Sequence, residues 1–314
     1  MVSITVSAAG KPLSVARGLP VDLDIPNKNA EDVTVADIKQ ALAAKFPKLY
    51  AFRQKITLKG QTKMLSDDMK IAEAAGGPVN EVSVKDLGPQ ISWRTVFLVE
   101  YAGPMVIHPL IYHLPRLFYG GPVQHSLLQQ YVYGLVMLHF AKRELETLFV
   151  HRFSHDTMPA RNILKNSAHY HLLSGLALAY AIYSPTYSAA SPYIRGTIRD
   201  DLRFIWGCTA LWLFSELSNL STHLTLRNLR PPGTRQRAIP YGYGFNLVSC
   251  PNYFFECLAW TSVAAMTGSW VAWIFVLVST GQMAQWAIKK HRGYRKEFGD
   301  KYPRGRKVMF PFVF

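Results

Sequence analysis

Cysteine is scarce in this chain: three among 314 residues (Cys208, Cys250 and Cys257), none in a C-x-x-C pair and all within apolar stretches. That spacing supplies neither a disulfide framework nor a zinc site. Charge is scarce too, at 18% of residues against 49% hydrophobic, which excludes an intrinsically disordered chain. The rarer sign is negative, with 20 acidic residues against 35 basic ones. In a membrane protein such an excess is expected in cytosolic loops, so anionic headgroups and phosphorylated substrates are the partners it suits, and nucleic acid is not expected. Met1–Gly10 lacks the apolar core of a cleavable signal, so the first span is expected to direct its own insertion. A dinucleotide fingerprint is missing as well. Leu247 stands where the third glycine after Gly242-Tyr243-Gly244 would fall, and no βαβ pattern surrounds it, so any nicotinamide must be held by membrane helices.

What the chain does have is long apolar runs. Six follow residue 90, near 92–113, 123–141, 167–184, 202–222, 245–265 and 267–288, which predicts a multi-pass α-helical membrane protein. The 142–166 loop, the 224–240 loop (Arg227, Arg230, Arg235, Arg237) and the tail after 288 carry 18 Lys and Arg between them. The opposite side has three, Arg116, Arg195 and Arg199. The positive-inside rule then puts both termini and the basic loops in the cytosol.

Residues 1–88 read differently. Val2–Ser7 and Val21–Ile25 alternate like strands, and Thr34 can cap a helix through Phe46 whose apolar stripe is Val35, Ile38, Ala41, Leu42 and Phe46. Gln54–Lys59 and Glu81–Lys85 supply two more strands. The order strand, strand, helix, strand, strand resembles the ubiquitin-like β-grasp fold, and the expected organisation is a cytosolic domain over 1–88 followed by a helical membrane domain over 89–314. Gly76-Gly77 lies before the last strand, which argues against conjugation and for an interaction or stabilising module.

Polar groups at membrane depth mark function by default. Three carboxylates qualify: Glu100, Glu216 and Glu256. Within NLVSCPNYFFE (246–256), a helix continuing through Pro251 puts Asn252 and Glu256 one turn apart on one face with Tyr253 beside them. Arg227 and Arg230 share a helix end before Pro231-Pro232-Gly233, where they either clamp phosphate or anchor the chain at the membrane surface; Lys290, Arg292 and Tyr294 repeat the theme past the last span. In HFAKRELETLFVHRFSH (139–155), Lys142 and Glu146 are spaced as a helix-surface ion pair, and His151-x-x-x-His155 is half of a histidine box. The other histidines do not complete it, so no metal site is expected.

Together, LRNLRPPG, IPYGYGF, SCPNYFFE and HRGYRKEFGDKYPRGRKVMFPFVF resemble the C-terminal half of the steroid 5α-reductase family. KRELETLFVHRFSHDTMPARNI, with EYAGP and SCPNY, is similar to its very-long-chain trans-2-enoyl-CoA reductase branch. The resemblance implies an endoplasmic-reticulum membrane enzyme that uses NADPH to reduce the 2,3 double bond of a long-chain enoyl-CoA, the closing step of fatty-acid elongation, among other elongation enzymes as partners. It implies Tyr253 as catalytic acid, with Lys142, Glu146 and the buried Glu100 in the active site. Asn219, Arg227, Arg230, Asn252, Glu256, Lys290, Arg292 and Tyr294 are the implied cofactor positions. Phe140 stands where the steroid-reducing branch has tyrosine, and Lys290 where it has histidine, which weighs against a steroid substrate. The alternatives are a 3-oxo-steroid Δ4-reductase, an isoprenylcysteine methyltransferase-like enzyme and an inert membrane adaptor presenting the N-terminal domain.

The chemistry suits these residue types. Reduction at the β-carbon develops an enolate, which needs a donor at the thioester oxygen and a proton at the α-carbon. Tyr253 can serve as either, with Lys142 expected beside it and Glu146 orienting Lys142.

Overall fold

The computed structural model describes residues 2–153, 156–230 and 238–314, so His155, Arg235, Arg237 and the Pro231-Pro232-Gly233 turn lie outside the described residues. The chain divides into two compact units, one drawn from 1–92 and 155–162, the other from 93–154 and 163–314.

In the first unit, β1 (Val2–Ala8) pairs antiparallel with β2 (Val21–Ile25) and parallel with β4 (Glu81–Asp86), and β4 pairs antiparallel with β3 (Gln54–Leu58). The resulting sheet order is β2-β1-β4-β3. Alternation sends Ile4, Val6, Leu23, Ile56, Val82 and Val84 to one face, where α1 (Val35–Lys45) meets them with Val35, Ile38 and Leu42. Thr34 starts α1 through a reciprocal capping box: its hydroxyl accepts from the Asp37 amide at 3.3 Å while the Asp37 carboxylate accepts from the Thr34 amide at 2.8 Å. A short α2 (Ile71–Ala75) precedes β4. Arg53 holds Asp86 with two parallel bonds of 2.6 and 2.7 Å, fastening the entry of β3 to the end of β4. A second small sheet, absent from the sequence reading, pairs β5 (Gln90–Ser92) with β6 (Thr157–Pro159).

The second unit is a helix bundle. It runs α3 (Trp93–His113), a short α4 (Pro115–Tyr119), α5 (Leu127–Phe149), α6 (Asn162–Ala168) continuing through a π-helical stretch (His169–Ala177) into α7 (Leu178–Ile182), then α8 (Leu202–Asn228), α9 (Pro251–Thr267) and α10 (Trp270–Phe298). Every apolar run is thus helical, with shifted ends. α5 runs on past residue 141 because Ala141–Phe149 are good helix formers with Lys142 and Glu146 one turn apart, whereas the run at 245–265 turns helical only at Pro251, whose missing N–H suits the first helical position. Among the described residues, two helices, Trp93–His113 and Trp270–Lys301, are long and apolar enough by length and composition to cross a bilayer, against the six spans expected.

The bundle exposes large apolar side chains around an apolar core, and a cluster of charged and polar side chains is buried within it. Val106, Leu138, Leu217 and Leu277 are 57–69% exposed, while Glu100, His139, Glu216 and Asn219 are almost fully buried. That apolar exterior is what a hydrocarbon solvent demands. Close helix approach depends on small residues. A Cβ at Gly103 would stand 2.0 Å from the His171 ring, so only glycine lets α3 lie against the π-helical stretch, where His171 Nε2 bonds the Val99 carbonyl at 2.9 Å. Deeper in the bundle, His108 bonds the Ser174 carbonyl at 2.9 Å and the Tyr183 hydroxyl at 2.7 Å, so the irregular stretch is tied down on both sides.

Candidate active site

Antiparallel connection places the start of α3, the end of α5, the end of α8 and the start of α9 at one end of the bundle. Each contributes polar side chains there. On α5, His139, Lys142, Arg143 and Glu146 recur at three- and four-residue spacing, so they share one stripe. α8 answers with Glu216, Asn219 and His223 at the same spacing, and α9 with Asn252 and Glu256.

These stripes interlock. The Lys142 ammonium lies 2.6 Å from the Asn219 carbonyl oxygen, 2.9 Å from Glu216 and 3.4 Å from Glu146. Asn219 donates its amide to the Asn252 carbonyl at 2.9 Å and to Glu256 at 3.1 Å. His139 sits between two carboxylates, Nδ1 at 2.7 Å from Glu216 and Nε2 at 3.4 Å from Glu256. Glu146 is reached by Arg143 at 3.1 Å and by His223 at 3.1 Å, and Arg143 also donates to the Tyr101 hydroxyl at 2.6 Å. Pairing within the network is extensive but incomplete: Arg143 Nε has no hydrogen-bond partner among the described residues, and Lys142 meets Glu216 Oε2 as an ion pair without hydrogen-bond geometry; truncating one buried ion-pair partner typically costs about 3–5 kcal/mol. Glu100 is buried as well, and its Oε1 has no hydrogen-bond partner among the described residues. A buried acceptor without a donor is costly, which marks the spot as one where a ligand group can be received.

Tyr253 faces α10, whereas Asn252 and Glu256 meet α8. It packs with Cys250, Cys257, Met283 and Ala287 between α9 and α10, and the cation against its ring is Lys290, 4.7 Å from the centroid. The sequence reading expected Lys142 in that role; Lys142 is instead committed to Glu216, Asn219 and Glu146. One residue of offset on α9 turns Tyr253 by about 100° from Asn252, enough to assign the two side chains to different helix neighbours. Tyr294 stacks on Tyr302 at 5.5 Å, and Arg292 is exposed on the same end of α10. Arg227 and Arg230 are tied into the loop after α5: Arg152 donates to the Arg227 carbonyl at 3.1 Å, and Arg230 donates to the Arg152 carbonyl at 2.8 Å.

The segment leading into α9 is held by a returning tail. The Ser249 amide bonds the Lys307 carbonyl at 2.9 Å, the Cys250 amide bonds the Val308 carbonyl at 3.1 Å, and the Ser249 hydroxyl meets His291 and Tyr302 at 2.6 Å each. Arg306 donates to the Pro240 carbonyl at 3.0 Å. The tail therefore fixes the point at which Asn252 and Tyr253 diverge.

Sequence reasoning missed His139, Arg143, His223 and the role of Tyr101. The signal was present, since His139, Lys142, Arg143 and Glu146 fall at helical spacing, but only the tertiary pairing with α8 gives the histidines partners. Ligand atoms of Glu146, His151 and His223 lie within 4.8 Å of one another. Burial pushes the His151 imidazole down to about 3, helped by the Arg143 and His223 charges. A divalent ion there would have to displace Arg143 and Lys142 from the same carboxylate, so these residues fit an ion-pair cluster better than a metal centre.

The polar groups suit a nicotinamide cofactor: buried side-chain amides at Asn219 and Asn252, an acceptor oxygen of Glu100 that has no hydrogen-bond partner among the described residues, and basic side chains on α8 and α10 of the kind that hold phosphates. Comparison with known proteins places the chain in a family. A family model described as 3-oxo-5-alpha-steroid 4-dehydrogenase matches residues 156–314. A Schizosaccharomyces pombe protein named, provisionally, an enoyl reductase is 46% identical over 99% of this chain and 99% of its own. The very-long-chain enoyl-CoA reductase of Dictyostelium discoideum is 38% identical over 90% of this chain and 93% of its own. A Caenorhabditis elegans protein, provisionally named a very-long-chain enoyl-CoA reductase, is 41% identical over 89% of this chain and 91% of its own. On these matches, the chain belongs to the 3-oxo-5-alpha-steroid 4-dehydrogenase family of membrane proteins.

Proposed function

We propose that this protein is an NADPH-dependent trans-2-enoyl-CoA reductase acting on long acyl chains, closing the elongation cycle at the endoplasmic-reticulum membrane among other elongation enzymes. The observation that carries the reading is the identity of 38–46%, over 89–99% of the chain, to proteins named enoyl reductase or very-long-chain enoyl-CoA reductase. The physical support is a bundle that is apolar along its length and polar at one end, which suits a substrate with a greasy tail and a polyanionic head.

NADPH, when bound, supplies a hydride to the β-carbon. The chain's residues do the rest. Asn219, Asn252 and Glu256 would supply the polar groups for the cofactor's carboxamide, and Arg227, Arg230, Lys290, Arg292 and Tyr294 would supply cations and a ring for its phosphates and adenine. Tyr253 donates a hydrogen bond to the thioester oxygen as charge develops there, and Lys290 beside its ring offsets that charge. Lys142 and Glu146 brace the Asn219 amide, and the free oxygen of Glu100 receives an amide N–H. Six spans put this end and both termini on the cytosolic side, and residues 1–88 form a β-grasp module outside the membrane.

Purified protein in detergent should oxidise NADPH with a long-chain trans-2-enoyl-CoA and leave it untouched with a 3-oxo-4-ene steroid or with no substrate. Tyr253→Phe should lower turnover by two orders of magnitude or more with the thermal midpoint unchanged. Oxidation driven by the steroid alone would overturn the reading, and a fully active Tyr253→Phe would remove Tyr253 from it.

A further inference from the structure

Reducing a carbon–carbon double bond with hydride consumes one proton per turnover, and the buried network holds a place for that proton. Neutral imidazole has a single N–H, yet both ring nitrogens of His139 face carboxylate oxygens, Glu216 at 2.7 Å and Glu256 at 3.4 Å. Both contacts are favourable only if a second proton resides on the ring or on one of the carboxyls. Charge balance gives the same answer. Glu146, Glu216 and Glu256 bring three negative charges to the network against two fixed cations, Lys142 and Arg143, so one further proton neutralises it, shared among the carboxyls and the two imidazoles that touch them, His139 and His223. His139 is 3% exposed, enclosed by the Phe140 and Trp260 rings at 5.0 and 4.8 Å, which leaves its nitrogens no water to turn to.

From this trio a line of contacts leads outward. Glu216 meets Lys142 at 2.9 Å, Lys142 meets Glu146 at 3.4 Å, and Glu146 meets His223 at 3.1 Å; the His223 ring lies 4.8 Å from that of His151, which is partly exposed in the loop after α5.

We infer that Glu216, His139 and Glu256 act as a proton store for the reduction, refilled from the cytosolic rim through Lys142, Glu146 and His223. This rests on the reductase reading above. As hydride adds at the β-carbon, the α-carbon forms its new C–H bond with a proton whose O–H bond on a carboxyl of the trio breaks, His139 holding that proton against the carboxyl beforehand, and the trio gains one negative charge. A proton from water at the His223 end restores it, so each turnover takes up one hydride and one proton. His139 touches neither end of the path; it is a positioning residue that keeps the stored proton between two carboxylates.

The test begins with wild-type turnover on trans-2-enoyl-CoA, because its absence sinks the reductase reading and not this inference alone. Given turnover, His139→Gln should cut kcat at least tenfold, leave NADPH affinity within about twofold and raise the solvent deuterium isotope effect on kcat. His223→Ala should slow turnover and regain it with added imidazole, as a refilling group would. In the cofactor-free protein, histidine 15N NMR assigned with His139→Gln, read with the infrared carboxyl region, should show an imidazolium at position 139 or one protonated buried carboxyl. A neutral ring with no protonated carboxyl overturns the store. So does a His139→Gln enzyme with wild-type kcat and isotope effect, or one that loses kcat only in proportion to NADPH binding. Should His139→Gln fail to fold, the imidazole response of His223→Ala decides alone: no rescue rejects the inference.

Discussion

At Gly268 the backbone closes α9 in the left-handed region, φ +64°, and the space a side chain would need is already filled. A Cβ there would stand 2.2 Å from the Arg199 guanidinium and 2.6 Å from the Tyr193 hydroxyl, the two groups that bond the Thr267 carbonyl at 3.0 and 3.2 Å. Gly268→Ala should therefore lower the thermal midpoint in detergent, by at least the roughly 1–2 kcal/mol of the backbone strain alone. A drop no larger than that strain would show that the Arg199 clamp yields, and an unchanged midpoint would remove both constraints. Gly103 answers to a different constraint, contact with the His171 ring. Neither requirement is visible in the sequence, where both are glycines beside apolar residues. By contrast Glu100, Glu216 and Glu256 stand out in the sequence because a carboxylate in an apolar run has few reasons to be there.

Elements were legible where their signal is local. Thr34 and Asp37 announce the start of α1, and the alternating strands β1 to β4 fall within a residue or so of where their pattern puts them. The β5–β6 pair escaped because its strands have three residues each and lie far apart in the chain. The direction of Tyr253 escaped for a related reason: periodicity gives a face, and only packing says which neighbour meets it. The Arg53–Asp86 pair yields a prediction at this scale. The guanidinium holds the Asp86 carboxyl below the ordinary carboxylate range, so the pair's contribution is fully present above the unfolded value of about 3.9 and is lost as pH falls through the lower folded value. Asp86→Asn should make the β3–β4 region of the intact protein more susceptible to limited proteolysis at pH 7. That excess should shrink as the wild type is acidified towards pH 3, and a gap independent of pH would mean that the pair adds packing and no charge-dependent stability.

For the whole molecule, the distribution of charge makes a claim about sidedness. Basic residues crowd the 142–166 and 224–240 loops and the tail after 288, and few lie in the loops around Arg116, Arg195 and Arg199. In sealed microsomes, protease added outside should cleave within 1–88 and within the tail after 288, while the stretch around Arg195 and Arg199 stays protected; cleavage there with an intact tail would invert the orientation. Bundle and network could be anticipated from the sequence because lipid forces apolar residues outward and makes each inward polar group conspicuous. Their wiring could not, since it depends on which helix faces which.

The tail contact carries a consequence for biogenesis. Lys307 and Val308 leave the ribosome after every helix from α3 to α10, yet their carbonyls fasten Ser249 and Cys250 ahead of α9. Helices can enter the bilayer in the order of synthesis, but the geometry around Asn252 and Tyr253 cannot be completed until the closing segment has emerged and docked. A nascent protein stalled just past α10 would already be a membrane protein, and not yet an enzyme.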